Sequence, residues 1–191
     1  DLLNDEVCAI EARSSSISLT LAPNQSCLVI FGDTDCDMFP EKRSWIRKEE
    51  ADLTFRIETA SHEDMDNYRL FEAQAHSSSL PCVTALEKDP TFSGKIRYTA
   101  TFCGCDLARK DALALDLGTI GDSARVILNG RDLGLRITTP YRFDMTGKLL
   151  EGENTLIIET ANTLANTVRD FFSGYMAITP AGLTDKLHWL F

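Results

Sequence analysis

Runs in which apolar and polar residues alternate recur along almost the whole chain, and this period of two most restricts what it can fold into. Ile17, Leu19 and Leu21 alternate with Ser18 and Thr20, and Leu53, Phe55 and Ile57 with Thr54, Arg56 and Glu58. Ile96, Tyr98, Ala100 and Phe102 alternate with Arg97, Thr99 and Thr101, and the pattern returns at Leu113–Leu117, Val126–Leu128 and Leu156–Thr160. Successive side chains of a strand point to opposite faces, so each run predicts a strand with one face on a core. Turn chemistry separates the runs. Ala22-Pro23-Asn24-Gln25 parts two apolar runs near the start, and Asn129-Gly130 lies between Val126-Ile127-Leu128 and Leu133-Gly134-Leu135. Asn-Gly tolerates positive φ at both positions, which predicts a type I′ hairpin. Glu151-Gly152-Glu153-Asn154 precedes the last strong strand, and Gly152 offers a further positive-φ position. Only Ala161 to Phe172 has helical spacing, with Leu164, Val168 and Phe171 on one face; an ordered loop is the alternative. Many short strands and little helix predict an all-β, antiparallel β-sandwich.

The 191 residues suffice for one domain and a fragment of a neighbour. A shift in composition near Gly32 divides them. Residues 1–32 read as terminal strands of a preceding β-domain or an added strand pair, ending in Cys27-Leu28-Val29-Ile30-Phe31, and residues 33–191 as the main domain. Asp33-Thr34-Asp35-Cys36-Asp37 has the look of a linker, and the polar stretch Ala60 to Glu72 that of a long surface connection. The opening Asp1-Leu2-Leu3-Asn4-Asp5-Glu6 has neither an initiator Met nor a signal-peptide pattern, so a piece of a longer protein is expected.

The formal charge of −10, without a Lys/Arg cluster, argues against nucleic acid as a partner, because that affinity comes chiefly from neutralising phosphates. No apolar stretch approaches the roughly 20 residues that span a bilayer, so no membrane partner is expected. Six cysteines without a C-x-x-C pair, and three distant histidines, predict no metal site. A structural Ca²⁺ is not expected either, since no D-x-D-x-D-G loop is present. Nothing points to a cofactor. Reduced thiols in a cytosolic setting are favoured over disulfides in a secreted or periplasmic one.

From Phe92 to Asn166 the chain carries a series of motifs in a fixed order. Phe92-Ser93-Gly94-Lys95-Ile96-Arg97-Tyr98 is followed by Leu115-Asp116-Leu117-Gly118, by Val126-Ile127-Leu128-Asn129-Gly130 with Gly134, and by Pro140-Tyr141-Arg142-Phe143-Asp144. Glu151-Gly152-Glu153-Asn154-Thr155-Leu156 and Asn162-Thr163-Leu164-Ala165-Asn166 complete it. This series resembles the sugar-binding, galactose-binding-like jelly-roll module of glycoside hydrolase family 2 and its relatives. Thr139 stands where that module commonly has a first proline. Pro180-Ala181-Gly182-Leu183 and Leu19-Thr20-Leu21-Ala22-Pro23-Asn24-Gln25-Ser26 are similar to segments of family 106 rhamnosidase-like enzymes, which implies a C-terminal piece of a multidomain hydrolase.

The motif residues also have structural readings of their own. Gly94 permits close backbone approach at a strand entry, Asn129 and Gly130 supply the turn, and Asp144 accepts backbone hydrogen bonds after Pro140. Tyr98 and Trp45 read as core or sandwich-edge residues. Glycoside hydrolysis usually needs two carboxylates flanking the scissile bond. Asp106, Asp116, Asp144, Glu159 and Asp170 lie nearest the motifs and read as structural or solvated, so no catalytic residue is assigned. The resemblance places the catalytic pair in a separate barrel, which alone takes about 250 residues.

Sugar contact needs an aromatic platform and planar polar groups, which makes Tyr141, Arg142, Arg136, Asn162, Asn166 and Trp189 the candidates. The expected role is that of a non-catalytic accessory domain whose partner is the parent chain's catalytic domain, with a glycan as a further candidate partner. An autonomous carbohydrate-binding module and a purely structural interdomain or protein-interaction domain are the alternatives.

Overall fold

The computed structural model describes residues 47–168 and 178–191, together with 17, 19, 21, 26–31 and 45. Among the described residues, ten strands form two antiparallel sheets. The larger sheet contains β2 (Thr54–Ser61), β3 (Arg69–His76), β4 (Gly94–Cys103), β6 (Ser123–Leu128), β7 (Arg131–Arg136) and β9 (Glu153–Ala161), in the order β3-β2-β4-β9-β6-β7. The smaller contains β1 (Lys48–Glu50), β5 (Ala114–Asp116), β8 (Arg142–Asp144) and β10 (His188–Leu190), in the order β1-β10-β5-β8. The architecture is the all-β sandwich read from the alternation.

Register explains why the alternating runs work. Ile57 pairs with Tyr98, Tyr98 with Ile158, and Ile158 with Val126, so one row across four strands faces the core. All four side chains are fully buried. The neighbouring row, Glu58–Arg97–Glu159–Arg125, lies on the opposite face because strand side chains alternate. Leu115, Phe143 and Trp189 of the smaller sheet join the same core. Burying an Ile, Val, Leu or Phe side chain stabilises by about 1.5–3 kcal/mol each, so this layer supplies most of the driving force for folding.

Several local expectations hold. Leu128 and Arg131 close the β6–β7 hairpin, with Asn129 at φ 51° and Gly130 at φ 78°, as a type I′ turn requires. A Cβ on Gly94 would collide with the Ala60 carbonyl oxygen across the β2–β4 pair. Asp144 Oδ1 accepts the Thr146 N–H at 3.0 Å. Tyr98 is a core residue with no exposed surface.

Other expectations are corrected. The polar stretch from Ala60 to Glu72 is only partly a connection, because β2 runs to Ser61 and β3 begins at Arg69. β3 is the edge strand of its sheet, where polar side chains are tolerated on both faces. The helical spacing from Ala161 yields one short helix, α1 (Ala165–Val168), and residues 169–177 lie outside the described residues. Gly152 does not take a positive φ. Residues 26–31 carry no strand; the rest of 1–32, the proposed linker 33–37 and Asp170 fall largely or wholly outside the described residues. Cys103 and Cys105 are joined as a disulfide, where reduced thiols were expected.

A buried polar contact ties the larger sheet to the segment that precedes β10. The Leu183 N–H donates to Tyr98 Oη at 3.1 Å, deep in the core. Gly182, at φ 84°, makes room for that hydroxyl, and a Cβ there would collide with it. Burial pushes the Tyr98 phenol far above its ordinary pKa of 10.0. A phenol kept protonated by folding contributes stability that is full below pH 10 and is lost as pH rises beyond it. Urea unfolding of Tyr98→Phe is expected to show a loss of about 1–2 kcal/mol at pH 7, the cost of an unsatisfied buried N–H, and a flatter decline between pH 9 and 11 than the parent chain. Gly182→Ala is expected to cost about 2–4 kcal/mol through collision and positive-φ strain, and measurably less when combined with Tyr98→Phe.

Candidate functional site

The loops at one end of the sandwich collect five of the six candidate sugar-contact residues. At this end β6 begins, β7 and β9 finish, and β8 begins. Arg136 closes β7, opposite Ala124. Tyr141 and Arg142 follow the cis Thr139–Pro140 bond and open β8. Asn162 and Asn166 lie just beyond β9. Asp122 joins the two groups: its backbone oxygen accepts the Tyr141 hydroxyl at 2.9 Å, and its Oδ2 accepts the Thr163 N–H at 2.7 Å. Trp189 stands apart, in the core, with its ring 5.7 Å from that of Phe102.

Most of these side chains are engaged within the fold. Asn162 Oδ1 accepts the Gly94 N–H at 2.8 Å, and its Nδ2 donates to the Phe92 carbonyl at 3.0 Å. Asn166, 1% exposed, donates to the Thr179 carbonyl at 2.9 Å and accepts from the Thr179 N–H and hydroxyl, both at 3.0 Å. Tyr141 is buried, and that burial, followed by the nearby Asp122 carboxylate, raises its phenol pKa. Trp189 is 6% exposed, so its ring presents no broad face on which a sugar could stack.

The two arginines differ. Arg142 is exposed and donates from Nε to Asp116 Oδ2 at 3.1 Å, while Asp116 Oδ1 accepts the Gly118 N–H. Arg136 lies with its guanidinium 5.4 Å from the Phe143 ring centre. It donates to the Leu135 carbonyl at 3.2 Å, and its buried Nε has no hydrogen-bond partner. These planar, charged donors are the groups at this end best suited to accepting new polar contacts.

The outer face of the larger sheet holds a second cluster. Arg97 donates from Nε and Nη2 to Glu159 Oε1 at 3.0 and 2.7 Å, and its guanidinium lies 3.6 Å from the centre of the Tyr68 ring. The Tyr68 hydroxyl donates to the same carboxylate oxygen at 3.2 Å. Partial burial first, and Glu159 second, raise the Tyr68 pKa. The alternation marked Arg97 and Glu159 as outward-facing, but their meeting depends on the β4–β9 register, and Tyr68 arrives from a connecting loop. Sequence spacing carries no signal for that encounter. No group of three or more metal-ligating side chains occurs among the described residues.

No family model matches the chain. A curated protein from Formosa agariphila described as "Putative beta-glucuronidase" is 38% identical over 77 residues, which is 39% of this chain and 7% of that protein. Among solved structures, a rhamnosidase from Novosphingobium sp. PP1Y is similar at TM-score 0.55 and 25% identity, covering 80% of this chain and 16% of its own. A family 2 beta-galacturonidase from Eisenbergiella tayi shares the fold at TM-score 0.51 and 13% identity, covering 78% of this chain and 25% of its own. The chain therefore spans a small fraction of each of these proteins. The likeness to glycoside hydrolases, read from the motif series, is found in both kinds of comparison, and the likeness of fold in the solved structures.

The bonding predicts unequal costs for two substitutions. Asn166→Ala is expected to lower unfolding free energy by about 2–4 kcal/mol, since it removes a buried amide that makes three hydrogen bonds to Thr179 and leaves a cavity in its place. Arg142→Ala is expected to cost less, about 1–2 kcal/mol, because Arg142 is solvated while the buried Asp116 carboxylate keeps the Gly118 N–H. Chemical denaturation of both variants checks this.

Proposed function

We propose that the chain is a non-catalytic accessory β-sandwich domain of a glycoside hydrolase, built to pack beside the parent's catalytic domain. The observation that carries this reading is the coverage: four-fifths of the chain corresponds to about one-sixth of a rhamnosidase. Three of the carboxylates nearest the motifs support it. Asp116 is held by Arg142 and the Gly118 N–H, Asp144 by the Thr146 N–H and Lys148, and Glu159 by Arg97 and Tyr68. A catalytic pair must face the scissile bond from both sides, whereas these three groups are bonded to cations, backbone donors and a phenol.

Contact with a glycan is the second reading, favoured by Arg136 and Arg142 at the same end of the sandwich. In it the guanidinium groups bond sugar hydroxyls or a sugar carboxylate while the accessory domain extends a site housed elsewhere in the parent. An independent carbohydrate-binding module would use the same residues without a partner domain.

Assay of the chain against aryl β-glucuronides, galacturonides, mannosides and α-rhamnosides is expected to show no turnover above the uncatalysed rate, and robust hydrolysis would overturn the accessory reading. Calorimetric titration with the corresponding oligosaccharides separates the remaining two. Binding lost on Arg142→Ala supports glycan contact, and heat changes indistinguishable from dilution leave the domain a scaffold.

A further inference from the structure

We propose that Cys103-Gly104-Cys105 is a reversible dithiol–disulfide site, one that exchanges with low-molecular-weight thiols while the sandwich stays folded. Both cysteines are exposed, and they flank a buried glycine at the outlet of β4. The bridge joins residues two apart, with Cα atoms 5.6 Å from each other. A link this short closes almost no chain, so it removes little freedom from the unfolded state and ties no two elements together. The bond therefore has little structural work, in contrast with the long-range disulfides that staple small domains.

What holds this corner is independent of the sulfurs. The Gly104 N–H donates to the Gly152 carbonyl at 2.9 Å, and the Ala108 N–H to the Gly104 carbonyl at 2.8 Å. Cys103 pairs with Glu153 at the last position of the β4–β9 ladder. Asn154, with no exposed surface, binds the Leu150 N–H and carbonyl and the Gly152 carbonyl. A Cβ on residue 104 would collide with the Leu150 carbonyl and the Asn154 amide, so the backbone is pressed onto the 150–154 turn and the flanking side chains are left on the solvent side. None of these contacts passes through a sulfur atom.

The exchange balances in two steps. A small-molecule thiolate attacks one Sγ, the protein S–S bond breaks, and the departing sulfur takes a proton. A second thiolate then attacks the mixed disulfide, leaving two protein thiols and one oxidised small-molecule disulfide; the protein gains the two electrons that the small thiols lose. Exposed bridges are the ones most open to this attack.

The whole chain, equilibrated in buffers of graded glutathione to glutathione-disulfide ratio, quenched in acid and alkylated with N-ethylmaleimide, tests the proposal by peptide mass. Expected is a transition in which the 103–105 peptide gains two labels together, while the melting temperature moves by less than about 3 °C. Exposed, unbridged Cys82 should label in fully reducing buffer as an internal reference. Cys105→Ser should retain one glutathione on Cys103 in oxidising buffer. Two free thiols at every ratio, labelling only after urea unfolding, or a fall of more than about 10 °C on reduction would each overturn it.

Discussion

The fold depends most on the pairing of β4 with β9, nine registered residue pairs from Lys95–Ala161 to Cys103–Glu153 that lie at the middle of the larger sheet. The two strands are about sixty residues apart in the chain, so the ladder must offset a long loop closure before other strands can add to it. Both ends of the ladder are clamped by asparagine. At one end Asn162 binds the Gly94 N–H and the Phe92 carbonyl, and at the other Asn154 gathers the Leu150–Gly152 turn and accepts from Asn129. An amide side chain suits such positions because it donates and accepts at once, as a backbone does. The asparagines, glycines and turns of the motif series thus cluster where the central ladder begins and ends, and that is why the series marks an architecture.

Much of this was legible from alternation alone, and the failures share a cause. β2, β4, β6 and β9 are half-buried strands whose faces differ, so period two reveals them. β1 reads Lys48-Glu49-Glu50 and is wholly exposed, so it leaves no periodic trace, while β3 carries a short one, Phe71, Ala73 and Ala75 between Glu72, Gln74 and His76, whose small alanines make it faint. β10 carries adjacent buried residues, Trp189 and Leu190, which blurs its alternation. Trp189 and Asn166 were candidates for sugar contact because aromatic and amide groups serve binding and packing equally well. Burial decides between these uses, and burial is set by partners distant in sequence. The Tyr68–Arg97–Glu159 cluster escaped notice for the same reason, since its members meet only through register and a loop.

The charged row on the outer face has a role that the apolar row beneath it cannot fill. Ile57, Tyr98, Ile158 and Val126 are all apolar or nearly so, and a two-residue slip of β9 along β4 would keep every side chain on its own face. Register is then weakly specified by hydrophobicity alone. Glu58, Arg97, Glu159 and Arg125 alternate in sign across the same four strands. A two-residue slip would set Arg97 opposite Ile157 or Ala161 and separate it from Glu159, losing two charge-assisted hydrogen bonds and the one that the Tyr68 hydroxyl donates to the same carboxylate. Each exposed pair contributes little to stability by itself. Their alternation nonetheless raises the energy of the slipped sheet relative to the native one, so the apolar face drives assembly and the polar face selects its alignment.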